Sequence, residues 1–366
     1  MKNILHAIDT SGPGGAETVF LALARGLDPI KYRSYAVIKS EGWVAGQLRK
    51  FGLEPFFADA KGSFNLKYLY QLVRIIRRYK IDIVQSHLFG SNVYCSLAGL
   101  ICGVPVISVF HGAVDVNPSS KLLRTKFRIL NRGSAKVVCV SQSLSATLLK
   151  SGMLARAKSV VIYNGIDTHL FRPQRHHHLR DQFGLAAADI VIGAMGNIRR
   201  PKGYDVLLRA AALLVKKSPR YKFMIAGDGS GRLYEDLLKL REDLGLKAHV
   251  FFLGFQEDVA RVLNNFDIFL LSSTTEGFSI ATIEAMACGL PVVVTRSGGP
   301  EEIVSHDENG LLVDVASAPQ IADAIELIVH DPALKARLVQ KARAHVVARF
   351  GMDAMLRAYD DLYSGL

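Results

Sequence analysis

The feature that most constrains the fold of this chain is an alternation of short apolar segments with helical patterns that runs through its first half and then starts again. In the first half strands are predicted at residues 3–8, 34–38, 81–86, 106–110, 136–140 and 159–163, with helices such as 16–26, 66–79 and 91–102 between them. The alternation restarts at 190–195 and continues through strands at 222–226, 250–253, 268–271, 292–295 and 311–313. Strand, helix and strand in succession imply parallel pairing, because a parallel partner is reached only through a crossover. The expected class is therefore α/β, with two Rossmann-like doubly wound parallel-sheet domains in series. At 366 residues the chain is too long for one ordinary core, and an apolar fraction of 49% supports two. The expected domains are 1–170 and 171–352. Residues 164–188, polar and holding Pro173 and the run His176-His177-His178, form the expected linker. Three adjacent histidines cannot all face one ion from a regular element, so a solvated loop is expected there. Ligands of doubly wound sheets bind beyond the carboxyl ends of the strands, and a cleft between two such domains is the natural site.

The formal net charge of +12 is unevenly distributed. Residues 1–166 hold 22 Lys and Arg against 8 Asp and Glu, whereas the remainder hold 23 against 25. Residues 116–166 contain nine basic residues and no acid, beginning with Lys121, Arg124, Lys126, Arg128 and Arg132 among Leu122, Leu123, Phe127, Ile129 and Leu130. Residues 61–80 contain six basic residues and no acid, interleaved with Phe64, Leu66, Tyr68, Leu69, Leu72, Val73, Ile75 and Ile76. Both read as basic amphipathic helices, a pattern suited to an anionic membrane surface; the alternative is an ordinary domain helix with a basic outer face. The charge alone would also attract nucleic acid, but no binding module accompanies it, so no nucleic-acid partner is expected. Cys95, Cys102, Cys139 and Cys288 show no metal-ligand spacing and read as buried thiols of a reduced, cytoplasmic protein. The opening apolar run is too short for a signal peptide, and the stretch 97–110 is too short to span a bilayer. The expectation is a cytoplasmic protein, soluble or peripheral on the membrane.

The strand-to-helix loops carry the chemistry. After the strand at 268–271 come Ser272-Ser273-Thr274-Thr275, then Glu276-Gly277-Phe278-Ser279-Ile280 opening a helix to about Cys288, with Glu284 two turns inside it. A helix N-terminus offers open amides to a phosphate, and carboxylates beside it can accept hydrogen bonds from sugar hydroxyls. On spacing alone Glu276 and Glu284 are equally a turn residue and a solvated helix residue. After the first strand of the second half, Gly196-Asn197-Ile198-Arg199-Arg200-Pro201-Lys202-Gly203 sets three cations beside a helix start, where diphosphate is the natural partner. Ala226-Gly227-Asp228-Gly229 is another glycine-rich edge. In the first half, Gly12-Pro13-Gly14-Gly15-Ala16-Glu17 permits close approach of a phosphate. A dinucleotide reading fails there for want of a third glycine and of an acid after the second strand. His111-Gly112 puts an imidazole at the mouth of the first sheet.

In their order and spacing these motifs resemble the retaining glycosyltransferases of family 4, which have the GT-B architecture of two Rossmann-like domains facing a central cleft. The resemblance rests on Gly14-Gly15-Ala16-Glu17, His111-Gly112, Asn164-Gly165-Ile166-Asp167, Lys202-Gly203, Ala226-Gly227-Asp228-Gly229, the block 276–291, Gly298-Gly299-Pro300-Glu301-Glu302 and the ending Tyr359-Asp360-Asp361-Leu362-Tyr363. It implies an acceptor-binding N-terminal domain rejoined by a final helix within 353–366, and a C-terminal domain that binds a nucleotide sugar. By resemblance Glu284 holds the ribose and Glu276 a donor-sugar hydroxyl. Gly277, Phe278, Ser279 and Ile280 present amides to the sugar and diphosphate, Lys202 neutralises the diphosphate, Gly14 and Gly15 close over it, and His111 lies near the transferred sugar. Asn197 stands where the family often has arginine, with Arg199 two residues on, and Asp228 belongs to the donor-side loops.

The implied reaction is hexose transfer with retention from a nucleotide diphosphate sugar to a hydroxyl of a saccharide or lipid-linked acceptor, in cell-surface polysaccharide or glycolipid assembly. With no Asp-x-Asp motif, no metal and no other cofactor are expected. A nucleotide-sugar epimerase of the same architecture and a non-catalytic, membrane-associated sugar-nucleotide binder are the rival readings.

Overall fold

The computed structural model describes residues 1–61, 65–112, 116 and 122–366. The chain divides into two compact units, Met1–Gly165 with Met352–Leu366, and Ile166–Gly351. The first holds a seven-stranded sheet of β1 (Lys2–Ile8), β2 (Tyr32–Ile38), β3 (Phe56–Phe57), β4 (Ile83–His87), β5 (Val106–Phe110), β6 (Ser134–Cys139) and β7 (Ser159–Val161), in spatial order β3-β2-β1-β4-β5-β6-β7. The second holds six strands, β8 (Ile190–Met195), β9 (Tyr221–Ala226), β10 (Val250–Gly254), β11 (Ile268–Leu271), β12 (Val292–Thr295) and β13 (Leu311–Val313), in order β10-β9-β8-β11-β12-β13. Every named pair is parallel. These are two doubly wound Rossmann-like domains, as the alternation predicts.

Each unit shows why its strands read as unbroken apolar runs. All five residues of β4 and of β5 are buried, because helices cover both faces of the sheet. Along β2 the side chains alternate between two cores: Val37 joins Leu5, Val84, Leu72 and Ile76 on one face, while Ala36 and Ile38 join Ile8, Phe20, Val44 and Leu48 on the other. In each sheet the strand order reverses beside the first strand of its unit, between β1 and β4 and between β8 and β11. That is where crossovers to opposite sides leave a crevice.

Several elements differ from the sequence reading for local reasons. The strand expected at 81–86 starts at Ile83, since Ile81 N–H closes the preceding helix on Ile76 O (3.0 Å). Strand β3 is two residues long, too short to carry any periodicity. The expected linker contains a short helix, His178–Gln182, and is fastened to the turn before β11: Asn264 Oδ1 accepts from Gln174 N (2.7 Å) and Asn265 Oδ1 from Leu179 N (3.1 Å). His177 is exposed, and His176 and His178 are partly buried.

The two basic segments are corrected most. Lys121 and Phe64 lie outside the described residues. The helices that form are Leu66–Arg78 and Leu123–Gly133, and both turn their apolar faces inward. Tyr68, Leu72 and Ile76 join the core, and Phe127 packs on the rings of Phe89 and Phe110 (centroids 5.1 and 6.2 Å). Neither helix can lay that face into a bilayer, so only its outer surface remains for a partner. Among the described residues no helix is long and apolar enough to cross a membrane, and no group of three His, Cys, Asp or Glu side chains could hold a metal ion. The four cysteines are unpaired thiols.

The last helix, Met352–Ser364, packs on the first unit. It buries Met355, Tyr359 and Tyr363; Lys2 Nζ donates to Tyr363 O (2.9 Å), and Asp360 accepts from Lys31 Nζ (2.7 Å) and Tyr32 Oη (2.5 Å). Tyr359→Ala should lower the stability of this unit by about 3–5 kcal/mol, read from the urea midpoint, because a fully buried aromatic ring leaves a cavity.

Candidate active site

The second unit gathers its chemistry at the β8/β11 reversal. Strand β8 ends at Met195 and passes through Gly196 to a single 3-10 turn, Arg200–Lys202, before the helix Tyr204–Lys217. The corner between turn and helix is Gly203, at φ +62°. A Cβ there would stand 2.2 Å from Ser272 O, so only glycine allows the two loops to touch. They interlock through four hydrogen bonds: Thr274 N (2.7 Å) and Thr274 Oγ1 (3.4 Å) both donate to Pro201 O, and Ser272 Oγ donates to Lys202 O (2.9 Å). The fourth joins side chains, Lys202 Nζ donating to Glu276 Oε1 at 2.7 Å. Ser273 Oγ donates to the same oxygen at 2.7 Å. Lysine and glutamate are 23% and 14% exposed, so this is a partly desolvated pair rather than a surface one.

The loop that carries Glu276 is braced on its far side as well. Glu276 N donates to Ser297 O (2.8 Å) and Gly299 N to Glu276 O (3.1 Å). Gly299 is needed because a Cβ would come 2.1 Å from Gly277 O. Phe278 is buried with its ring edge-on to Phe350 (5.5 Å, 66°), which anchors the loop to the core. Ser279 caps the helix Ile280–Ala287, its Oγ accepting from Thr282 N (3.3 Å) and Thr282 Oγ1 (2.8 Å). Glu284 lies within that helix, 9% exposed, and burial pushes its carboxyl up to about 7.

The glycine-rich edge after β9 sits beside this loop pair. Asn197 Oδ1 accepts from Asp228 N (3.0 Å) and Ile198 N donates to Asp228 O (2.7 Å), so the asparagine where the family often has arginine ties the two loops. Asp228 and Arg199 are exposed. Tyr204 Oη donates to Gly196 O (2.6 Å), and Lys202 lies against Gly196, where a Cβ would meet its Cε at 2.7 Å. The bonded pairs Lys202–Glu276 and Asn197–Asp228 thus lie in one cluster of neighbouring loops. Ser273 and Tyr204 belong to it too, and the sequence reading missed both. The run 272–275 offered a signal for Ser273; a tyrosine opening a helix offered none.

In the first unit Gly14 caps the helix Gly15–Gly26 after β1. Glu17 folds back so that Thr10 Oγ1 donates to it (2.5 Å), and its Oε2 lies where a Cβ on Gly14 would come within 2.4 Å, so a larger residue there would have to displace the carboxylate. His111 follows β5, and its Nε2 contacts Nδ1 of the buried His87 at 2.9 Å. Burial lowers the pKa of His111 to about 3, so its imidazole is neutral at physiological pH. A neutral imidazole cannot offset a phosphate charge.

The two parallel-sheet units each carry glycine-rich loops at the strand ends, and the second carries a lysine–glutamate pair at its reversal. Residues 177–345 match the model of the glycosyl transferases group 1, and residues 13–170 that of glycosyltransferase family 4. The chain belongs to this family and is a glycosyltransferase of the group 1 type. It is 30% identical over 302 residues to a D-inositol 3-phosphate glycosyltransferase of Saccharomonospora viridis, covering 77% of this chain and 69% of that one. It is 26% identical over 306 residues to an N-acetyl-alpha-D-glucosaminyl L-malate synthase of Bacillus anthracis, covering 82% and 79%. The crystal structure of Anabaena HepE in complex with UDP-glucose matches over 100% of both chains with a TM-score of 0.90 and 25% identity. The GT-B architecture follows from these matches.

The buried carboxyl gives a test of the site's energetics. Glu284 titrates near 7 in the folded protein against 4.5 for an ordinary glutamate, so between those values the folded state holds the extra proton. Stability should fall as pH rises across that window and stay low above it. Glu284→Gln should remove this slope and stabilise the protein at pH 8 by up to about 3 kcal/mol, read from urea midpoints taken at pH 5 and pH 8.

Proposed function

We propose that the protein transfers a hexose from a nucleotide diphosphate sugar to a hydroxyl of a saccharide or lipid-linked acceptor, with retention and without a metal ion. The observation that carries the reading is the Lys202–Glu276–Ser273 cluster at the β8/β11 reversal, with Glu284 in the adjoining helix. In this reading Glu284 accepts from the ribose hydroxyls and Glu276 from a hydroxyl of the donor sugar. The amides of Gly277, Phe278, Ser279 and Ile280 face the sugar and diphosphate, Gly14 and Gly15 approach the diphosphate, and Lys202, with Arg199, neutralises it.

Lys202 Nζ then serves two anions, the Glu276 carboxylate and the diphosphate. This holds it rigidly where charge develops, and prior orientation is the larger part of electrostatic catalysis. The bond from the anomeric carbon to the diphosphate oxygen breaks, its electron pair staying on the departing diphosphate. The acceptor oxygen bonds to the same face of that carbon, and its proton passes to the departing phosphate oxygen. No side chain forms a covalent bond.

Incubation with a panel of nucleotide sugars and acceptors tests this, with nucleotide diphosphate release and product anomer as readouts. An α-linked product from an α-linked donor is expected, unaffected by a chelator. An epimer formed from donor alone would favour the epimerase, and donor affinity without release would favour the non-catalytic binder. Lys202→Ala and Glu276→Ala should each lower kcat by about 10²–10³-fold with the circular dichroism spectrum unchanged. Near-wild-type turnover in either would remove that residue from the mechanism.

A lipid-linked acceptor would place the enzyme at the cytoplasmic face of a membrane, in cell-surface polysaccharide or glycolipid assembly. Support comes from the helix Leu66–Arg78, whose exposed residues Leu66, Lys67, Tyr70, Arg74, Arg77 and Arg78 fall on one arc of about 120° with no acid among them. Leu66 and Tyr70 are 75% and 66% exposed. Two apolar side chains amid four cations suit an anionic bilayer better than a soluble polyanion. The protein should co-sediment with phosphatidylglycerol vesicles and not with phosphatidylcholine alone. Combining Arg74→Glu with Arg78→Glu should weaken that binding about thirtyfold or more. Equal binding to both vesicle types would reject the membrane contact.

A further inference from the structure

Tyr204 opens the helix Tyr204–Lys217, and the proposed reaction leaves its hydroxyl unused. The residue is 4% exposed and belongs to the core of the second unit. A phenylalanine ring would serve that core as well. The hydroxyl is instead aimed back across the turn, where Tyr204 Oη donates to Gly196 O at 2.6 Å. The direction of this bond is set by its partners, since a carbonyl oxygen can only accept. Burial, and after it the charge of Glu276, raises the pKa of the phenol, so it remains a protonated donor.

Gly196 links β8 to the loop that carries Lys202, and it is held on several sides. Its N–H donates to Ala226 O at the end of β9 (2.9 Å), and Gly227 packs so closely on its carbonyl that a Cβ there would stand 2.1 Å from the oxygen. The Lys202 stem lies against its open side: a Cβ on Gly196 would come 2.7 Å from Lys202 Cε and 3.1 Å from Nζ. Lys202 and Tyr204 flank Gly203, whose φ of +62° turns the chain, and both reach back to Gly196. One rests on it and the other bonds it. A lysine side chain is a flexible four-carbon stem, so the bond from Nζ to Glu276 Oε1 does not by itself fix its path. The backbone of Gly196 supplies the wall.

We propose that Tyr204 is a positioning residue: by bonding Gly196 O it fixes the backbone on which the Lys202 stem rests, and so holds the ammonium in place for the donor diphosphate. This rests on the reading of Lys202 as the partner of that diphosphate. Without the hydroxyl the Gly196 carbonyl loses this partner, and a glycine peptide turns toward another more readily than any other residue. The stem then follows, and Nζ leaves the point at which charge develops.

Tyr204→Phe tests this, because it keeps the ring in the core and removes only the hydroxyl. The first readout is the Lys202 ammonium, followed by 15N NMR of lysine-labelled protein without ligand and assigned from its loss in Lys202→Ala. Its protons should exchange slowly with water in the wild type and about tenfold faster in Tyr204→Phe, the worth of one hydrogen bond. The second readout is transfer, where kcat should fall about 10–100-fold while the donor KM changes little. In a Lys202→Ala background, adding Tyr204→Phe should cost nothing further, whereas a residue that served only packing would cost the same in both. Unchanged exchange at Lys202, or a loss of kcat in the Lys202→Ala background as large as in wild type, overturns the proposal. Faster exchange with undiminished transfer overturns instead the reading of Lys202 as the diphosphate's partner, because the ammonium would then be held without bearing on the reaction. The exchange measurement decides the positioning even where no transfer is found.

Discussion

Parallel pairing is the constraint on which the rest of this structure depends. A strand can return beside its neighbour in the same direction only by crossing over the sheet, and thirteen parallel strands in two sheets require helices on both faces. Both faces are then largely apolar, and most of the polar chemistry falls in the loops at the strand ends. The reversal of strand order opens a crevice between two of those loops, after β8 and β11 in the second unit, and there the lysine–glutamate pair forms.

The site is held together by close backbone approach more than by the ion pair itself. Gly203 against Ser272 O and Gly299 against Gly277 O leave no space for a β-carbon, so three loops from different strands stack directly on one another. This brings Glu276 between Ser273 and Ser297 and sets its carboxylate on Lys202. The result is a charged pair fixed before any ligand arrives, which is the condition for strong stabilisation of a departing anion. In the first unit the counterpart is neutral: a buried amide and two imidazoles in a line of close contacts.

Much of this was legible in the sequence. Strands β5, β8, β11, β12 and β13 fall on their predicted residues, because a fully buried strand is an uninterrupted apolar run bounded by turn residues. The loops were legible as well, since glycines and cations directly after a strand have few reasons to be there. The fate of the basic helices was not. The same periodicity describes a helix that lies on a membrane and one that packs on its own sheet, and Tyr68, Leu72, Ile76 and Phe127 took the second course. Strand β3 carried no pattern at all.

The division between sequence and structure follows the range of the interactions. Local pattern by itself determined the parallel α/β class, the restart that makes two units, and the loops that hold Lys202, Glu276 and Glu284. Tertiary structure alone decided that Lys202 bonds Glu276 across seventy-four positions, that Ser273 shares that carboxylate, and that Gln85 reaches His111 through His87. Periodicity reports which face of an element is buried, whereas a hydrogen bond between loops depends on the register of strands far apart in the chain, and no window of residues contains that register.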